Sequence, residues 1–233
     1  MKFILGIVLL VLLMPARAQL KWTDQLFTKV AENPIMGADS SFLFFCPVQK
    51  KVVKWQRADV FNPAAIVRNG KMYMLYRAED NPKAILGGRT SRIGLAVSDD
   101  GIHFKKFDKP VLYPDNDKFS QYDYPGGCED PRVIESPDGQ YVMAYTSWNG
   151  KTARLSIAIS RDLQHWVKKG PAFSKAYHGK YRDIWSKSGS MITAEKNGRP
   201  VAMKINGKYW MYWGEQFINL AWSENLIDWH PLE

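Results

Sequence analysis

The sequence has few of the residues that build disulfide frameworks or metal sites. Cys46 and Cys128 are its only cysteines, and two cysteines do not make a framework. They form either one disulfide or two buried free thiols, and the sequence leaves both open. No Cys/His cluster has zinc spacing, and no calcium loop of the type Asp-x-Asp-x-Asp-Gly occurs. A metal is therefore not predicted.

Long hydrophobic runs are missing too, except at the N-terminus. Lys2 is followed by an apolar run to Met14, and the small residues Ala16 and Ala18 resemble a cleavage site. This run is too short to cross a bilayer comfortably. We therefore predict that residues 1–18 are a signal peptide, that the mature protein is exported to the periplasm or the medium, and that it has no membrane partner after cleavage.

Acidic residues are outnumbered, with 23 Asp and Glu against 32 Lys and Arg and a formal net charge of +9. The basic residues are scattered, and no helix-turn-helix, zinc-finger or RNA-binding signature occurs, so nucleic acid is not a predicted partner. Aromatic residues are plentiful, with nine Trp. In an exported protein they serve as stacking platforms for sugar rings, or they fill a core.

The chain contains a repeat of four short strands. The clearest segments start at residues 93, 155 and 218, so the period is 62 to 63 residues. Hairpin glycines align at Gly70, Gly139 and Gly207, which indicates an antiparallel arrangement. After a lead-in over residues 19–60, the predicted units are 61–110, 127–173 and 187–233. The aligned third strands are Ile93–Ser98, Leu155–Ser160 and Ile218–Ser223.

Such a repeat is typical of a β-propeller, which makes the predicted fold all-β. Three blades are too few for a closed ring, since propellers usually have four to eight. We therefore expect the chain to be the N-terminal portion of a longer protein or a truncated gene product. The alternative is a small all-β sandwich. An open arc would expose two blade faces, which leaves pairing into an oligomer open.

The motif Gly126-Gly-Cys-Glu-Asp-Pro-Arg132 places two acids where a loop becomes a strand. In a propeller, first strands line the central channel, so Asn62, Asp130 and Lys187 should meet in one pocket. Arg77, Trp148 and Glu215 follow second strands and form a further ring of candidates. These residue types suit a carbohydrate. The structural alternatives are that the acids only mark a turn, that Arg77 only forms an ion pair, that Asn62 only caps a turn and that Trp148 only fills the core.

Glycoside cleavage with inversion needs an acid and a base about 6.5–9.5 Å apart. Asp130 and Glu215 come from different predicted blades, which suits such a separation. Glu129 beside Asp130 would favour the protonated form of one of them, and Arg132 would oppose it. The sequence leaves that balance open.

Several motifs in order resemble glycoside hydrolase family 130. The resemblance implies a five-bladed propeller acting on β-mannosides, of which about two blades would be missing here. The family contains inverting phosphorylases and inverting hydrolases that need no metal or organic cofactor, and the phosphorylases use inorganic phosphate as co-substrate. The motifs are Phe61-Asn-Pro-Ala-Ala65, Leu75-Tyr-Arg-Ala-Glu-Asp80, Ser91-Arg-Ile-Gly-Leu-Ala96, Gly126-Gly-Cys-Glu-Asp-Pro-Arg132 and Lys204-Ile-Asn-Gly-Lys-Tyr-Trp-Met-Tyr-Trp-Gly-Glu215.

The resemblance also implies residue roles. Asp130 matches the family's proton donor, Lys187 resembles a lysine that contributes to phosphate binding, and Glu215 resembles a carboxylate of the hydrolytic members. Export favours hydrolysis, because a sugar phosphate is of little use outside the cytoplasm. The predicted function is therefore an exported inverting β-mannosidase that binds an oligosaccharide. The alternatives are a phosphorylase releasing mannose 1-phosphate and a noncatalytic sugar-binding fragment. The predicted site comprises Asp130 and Glu215 as catalytic residues and Asn62, Arg77, Glu129, Arg132, Trp148, Lys187 and Lys204 as substrate-binding residues.

Overall fold

The structure is a computed structural model that describes residues 28–84 and 87–233. The chain divides into two compact units, Met1–Asn33 and Pro34–Glu233. The predicted signal peptide over residues 1–18 lies outside the described residues. Of the helices within the described ranges, none combines the length and the apolar character that a membrane crossing requires.

The regular secondary structure of the second unit is predominantly β. Among its described residues the one α-helix, α1, is a single turn over Ser120–Asp123, and a short 3₁₀ segment covers Ala176–Gly179. The strands of the described residues are β1 Leu43–Cys46, β2 Lys51–Lys54, β3 Asp59–Arg68, β4 Lys71–Glu79, β5 Ser91–Ser98, β6 Lys105–Lys106, β7 Gly127–Glu135, β8 Tyr141–Trp148, β9 Ala153–Ser160, β10 Val167–Pro171, β11 Ser190–Met191, β12 Thr193–Lys196, β13 Arg199–Ala202, β14 Lys204–Ile205, β15 Lys208–Trp213, β16 Asn219–Ser223 and β17 Trp229–Pro231.

The described strands include three antiparallel groups of four, here called modules. The first module is β3-β4-β5-β6, the second is β7-β8-β9-β10, and the third is β11-β15-β16-β17. Asn69-Gly70 and Asn206-Gly207 form two of the hairpin turns, and all four residues have positive φ, as a tight two-residue turn requires. The all-β prediction is therefore confirmed.

Neighbouring modules meet at single parallel bridges. Ser91 of β5 pairs with Gly127 of β7, and Val201 of β13 pairs with Glu135 of β7. Among the described residues the strand order runs from β10 to β3 without returning on itself. The number of blades and the truncation of the chain accordingly stay predictions.

The hydrophobic core lies between modules rather than within one of them. One cluster joins the first and second modules, another joins the second and third, and a third packs the β1–β2 hairpin on the first module. Each module therefore buries its faces only against a neighbour, as stacked repeats do. Cys46 and Cys128 lie in different clusters and are both free and buried, which decides between the two alternatives for the cysteines.

The hairpin β12–β13 was not expected from the repeat. It follows β11 and turns at Asn197-Gly198, which both have positive φ. Through Val201 it reaches across to the second module.

The fourth strands are also shorter or later than the pattern suggests, because a side-chain-capped turn occupies the residues before them.

That capped turn follows the third strand of every module. The hydroxyl of Ser160 accepts the backbone N–H of Asp162 at 3.1 Å and that of Leu163 at 2.9 Å. Leu163 has a φ of +70° and is fully buried. Ser98 and Ser223 accept equivalent pairs of N–H groups in the first and third modules. The serine thus holds a strained backbone that delivers a leucine to the core in the second and third modules.

We expect Ser160→Ala to lower the free energy of unfolding by about 1–3 kcal/mol, because it leaves the buried N–H of Leu163 without its acceptor. Urea denaturation measures this change. Ser41→Ala is the matched control, since Ser41 bonds only Asp39 in exposed surroundings, and its effect should stay within about 0.5 kcal/mol. Equal effects of the two substitutions would contradict this account of the turn.

Candidate active site

The first strands of the first two modules carry the same distortion. The β3–β4 register shifts between Phe61 and Ala64, and the β7–β8 register shifts between Glu129 and Arg132. Inside these shifts Asn62 has a φ of +47° and Asp130 a φ of +50°, and each precedes a proline. Residues before proline normally adopt extended backbone, so both positions are strained.

The strain brings two side chains from different modules together. Nδ2 of Asn62 donates to Oδ1 of Asp130 at 2.7 Å. In the third module Ser188, just before β11, also has a positive φ of +56°. The expected convergence of equivalent positions is therefore observed for Asn62 and Asp130, and the turn-cap alternative does not account for their contact.

Arg77 on β4 is the centre of the site. Its Nη2 lies 2.6 Å from Oε1 of Glu79 and 2.9 Å from Oε1 of Glu129, and its Nη1 lies 3.2 Å from Oδ1 of Asp130. Only 16% of the Arg77 side chain is exposed. Burial alone would lower the pKa of Arg77, but the charges of Glu129, Asp130 and Glu79 outweigh it and raise that pKa. Arg77 therefore does form ion pairs, as the structural alternative predicted, and its partners are the carboxylates of the candidate site itself.

Glu129 is the carboxyl group whose protonated form is favoured. Burial raises the pKa of Glu129 to about 7, the charge of Asp130 acts in the same direction, and Arg77 opposes it. The prediction that Arg132 would be the opposing cation is wrong. Arg132 is exposed and donates to the carbonyl oxygen of Pro131. The bulge in β7 lies between Glu129 and Arg132, so the Arg132 side chain does not point toward the two acids.

Arg89 and Ser91, which are not among the predicted site residues, hold Glu79 in place. Oε2 of Glu79 accepts Nη1 of Arg89 at 2.6 Å, and Oε1 accepts the hydroxyl of Ser91 at 3.1 Å. The same hydroxyl accepts Nε of Arg77 at 3.1 Å. Arg89 and Ser91 belong to no motif with a chemical meaning of its own, so only their contacts reveal them. They fix the geometry of Arg77.

A cavity of about 300 Å³ opens beside this cluster and is lined by the first two modules, by the segment before β5 and by the segment between β10 and β11. It falls at the lower end of the range for small-molecule pockets. A larger groove of about 840 Å³ between residues 107–119 and 164–168 contains none of the predicted site residues. The smaller cavity is therefore the candidate active site. Its lining residues are Arg77, Glu79, Gly87, Arg89, Ser91, Glu129, Trp148, Ala153, Trp185 and Lys187.

Glu215 does not line this cavity but a separate pocket of about 370 Å³, and it contacts two residues of the cavity wall. Its Oε2 accepts Nε1 of Trp185 at 2.7 Å, and its Oε1 lies 3.6 Å from Nζ of Lys187. The ring of Trp185 packs edge-on against Trp148, with centroids 5.6 Å apart. Trp148 is half-buried and lines the cavity, so it is not simply a core residue. Trp185 was missed, because nothing in its local sequence marks it.

Lys204 does not join the others. It lies on β14, is exposed, and places Nζ 5.0 Å from the ring centroid of Tyr209 within its own module. The tight hairpin between β14 and β15 accounts for this pairing. Its predicted contact with substrate therefore has no support in the geometry. Among the described residues no group of three or more His, Cys, Asp and Glu could hold a metal ion.

Buried carboxylates, an arginine that contacts them, a lysine and two tryptophans thus lie around one cavity of an all-β fold. The family described as β-1,4-mannooligosaccharide phosphorylase matches residues 28–232. The chain therefore belongs to glycoside hydrolase family 130, which confirms the resemblance seen in its motifs. The phosphorylases of this family use inorganic phosphate as co-substrate and need no cofactor.

Named relatives include phosphorylases and glycosyl hydrolases. A 1,2-β-oligomannan phosphorylase of Thermoanaerobacter sp. (strain X514) is 34% identical over 181 residues, which are 76% of this chain and 53% of the relative. A glycosyl hydrolase from Bacteroides ovatus is 47% identical with a TM-score of 0.85, over 88% of this chain and 57% of that one. The chain thus spans about half the length of the curated relatives it matches.

A further solved structure has the same TM-score of 0.85 and is 49% identical, over 88% of this chain and 57% of that one. Its description states that the GH130 family of mannoside phosphorylases contains glycoside hydrolases that target β-1,2-mannosidic linkages in Candida mannan. The curated relatives are phosphorylases, so the comparisons support phosphorolysis better than the predicted hydrolysis.

We expect the stability of the protein to depend on pH through Glu129. A folded-state pKa of about 7, above the ordinary 4.5, means that stability falls as pH rises through this range. Glu129→Gln removes the titration, so from about pH 5 to pH 8 it should gain up to about 3 kcal/mol relative to the unchanged protein. Urea unfolding across that range measures the difference. The exposed Glu224→Gln is the control, and a parallel pH dependence for both variants would contradict the assignment.

Proposed function

We propose that the chain carries the proton donor of an enzyme that cleaves β-mannosidic bonds, with Asp130 as the general acid. The observation that carries the proposal is the pair of hydrogen bonds that holds Asp130 against Arg77, which lines the cavity. Oδ1 of Asp130 accepts hydrogen bonds from Asn62 at 2.7 Å and from Arg77 at 3.2 Å. Because Oδ1 is engaged as an acceptor, Oδ2 is the oxygen that carries the proton in the acid form of Asp130 and delivers it to the leaving group, which leaves Asp130 as a carboxylate paired with Arg77.

Phosphorolysis is the first candidate for the reaction. The curated relatives and the family description support it. Lys187 and Arg89 line the cavity and supply positive charge for an anionic acceptor. In this reaction phosphate attacks the anomeric carbon from the face opposite the leaving group, the glycosidic bond breaks, and mannose 1-phosphate is released. Oδ2 of Asp130 supplies the proton to the departing oxygen.

Hydrolysis is the second candidate, and Glu215 is the observation that favours it. Its carboxylate contacts Lys187 and Trp185, which line the cavity, and a general base there could activate water. The description of the solved structure that is 49% identical names hydrolases among the members of the family. Export of the protein, which we also propose from residues 1–18, fits hydrolysis for the metabolic reason given above.

The experiment is product analysis on β-1,2- and β-1,4-linked manno-oligosaccharides with and without phosphate. We expect mannose 1-phosphate only when phosphate is present. Asp130→Asn should lower the rate by at least about 100-fold, since a general acid contributes roughly 100- to 10,000-fold. The control is Asp99→Asn, whose side chain is 81% exposed and pairs only with Lys71 on a distant hairpin. It should keep the activity.

Other outcomes would change the conclusion in defined ways. Free mannose formed without phosphate, and lost in Asp130→Asn, would move the reaction to hydrolysis. Turnover that survives Asp130→Asn would contradict the role of Asp130. A folded protein that binds manno-oligosaccharides but turns over none of them in either buffer would be a noncatalytic sugar-binding chain.

A further inference from the structure

Glu215 is held at both of its carboxylate oxygens. Trp185 donates its indole N–H to Oε2 at 2.7 Å, and Nζ of Lys187 lies 3.6 Å from Oε1. Half of the Glu215 side chain is nevertheless exposed, whereas 20% of the Lys187 side chain is. Water therefore competes for the carboxylate, and the short bond to Trp185 is what keeps it at the cavity.

The backbone of this segment is fixed independently of Trp185. Gly214 has a φ of +135°, and a Cβ there would overlap the carbonyl oxygen of Phe217, so only glycine fits. The N–H of Gly214 donates to the carbonyl oxygen of Lys187 at 2.9 Å. The backbone thus brings Glu215 near Lys187, and the direction of the carboxylate is left to the side-chain contacts.

Trp185 is suited to set that direction. Its ring rests edge-on against Trp148, which also lines the cavity. It carries a single N–H donor, and that donor points at one oxygen of Glu215. Trp148 supports the ring of Trp185 on one side, and Glu215 accepts its N–H on the other. Trp185 is therefore the partner of Glu215 on the cavity wall.

We propose that Trp185 is a positioning residue, whose indole N–H holds the Glu215 carboxylate beside the Lys187 ammonium and so limits the positive charge that Lys187 offers to an anionic acceptor. The inference rests on the proposed function in one respect, which is that an anionic acceptor such as phosphate binds at Lys187. It makes the Trp185–Glu215 pair a determinant of whether phosphate or water is used. A carboxylate near the ammonium offsets part of its charge, and a phosphate would have to approach the carboxylate as well.

The test measures binding of inorganic phosphate by calorimetry in the absence of any mannoside. Trp185→Phe keeps an aromatic ring but loses the N–H, so the half-exposed carboxylate turns to water and releases Lys187. We expect phosphate to bind about two- to fivefold more tightly, the range for removing one partly exposed ion pair. Glu215→Gln removes the charge itself and should increase the affinity at least as much.

The matched control is Trp210→Phe, which also loses one indole hydrogen bond, to the carbonyl oxygen of Ile205 at 3.0 Å. Trp210 is not among the residues that line the cavity, so its variant should bind phosphate as the unchanged protein does. If Trp185→Phe does not fold, as judged by thermal melting, Trp185→Leu takes its place, because it also lacks the N–H, whereas Glu215→Gln removes only the charge and keeps an oxygen that accepts a hydrogen bond.

Three results would overturn the inference. They are an affinity of Trp185→Phe equal to that of Trp210→Phe, a weaker affinity in Glu215→Gln, and phosphate binding in none of the proteins. The result is separable from the proposed function, since phosphate binding needs no turnover. Failure to cleave mannosides would remove the proposed function while the binding comparison still measures the effect of Trp185.

Discussion

The site depends on one buried guanidinium. Arg77 contacts Glu79, Glu129 and Asp130, which come from two modules of the fold. Three carboxylates so close together would repel one another and lose much of their hydration, and the charge of Arg77 is what makes the group tolerable in a buried place. Ser91 and Arg89 hold the far side of the cluster. The geometry at Asp130 is thus a property of two modules together.

The repeat explains how functional groups come to lie at equivalent places. Asn62 and Asp130 occupy the same bulged position of successive modules, and both adopt a left-handed backbone before a proline. One module places an amide there and the next a carboxyl, and the two bond each other. The strain of both positions persists because the surrounding sheet and Arg77 determine it. Equivalent backbone positions of two modules therefore carry different functional groups.

The two sides of the cavity have different chemistry. Arg77, Glu79 and Glu129 lie on one side, next to Asp130, and Lys187 and the tryptophans lie on the other, where Glu215 contacts Lys187 and Trp185. A cation and an anion side by side suit two different acceptors, phosphate and water. The closeness of Lys187 to Glu215, rather than the presence of either residue, is the feature that bears on the choice.

Features that rest on local pattern can be read from the sequence. Turn dipeptides such as Asn69-Gly70, the strand repeat and the motif around Asp130 are such patterns, and they led to the all-β fold and to the family. Three other properties became visible only in the folded protein: Glu129 is the carboxyl favoured in its protonated form, Arg77 rather than Arg132 opposes it, and Trp185 holds Glu215. Burial and contacts between distant segments set these properties, and no local pattern records them.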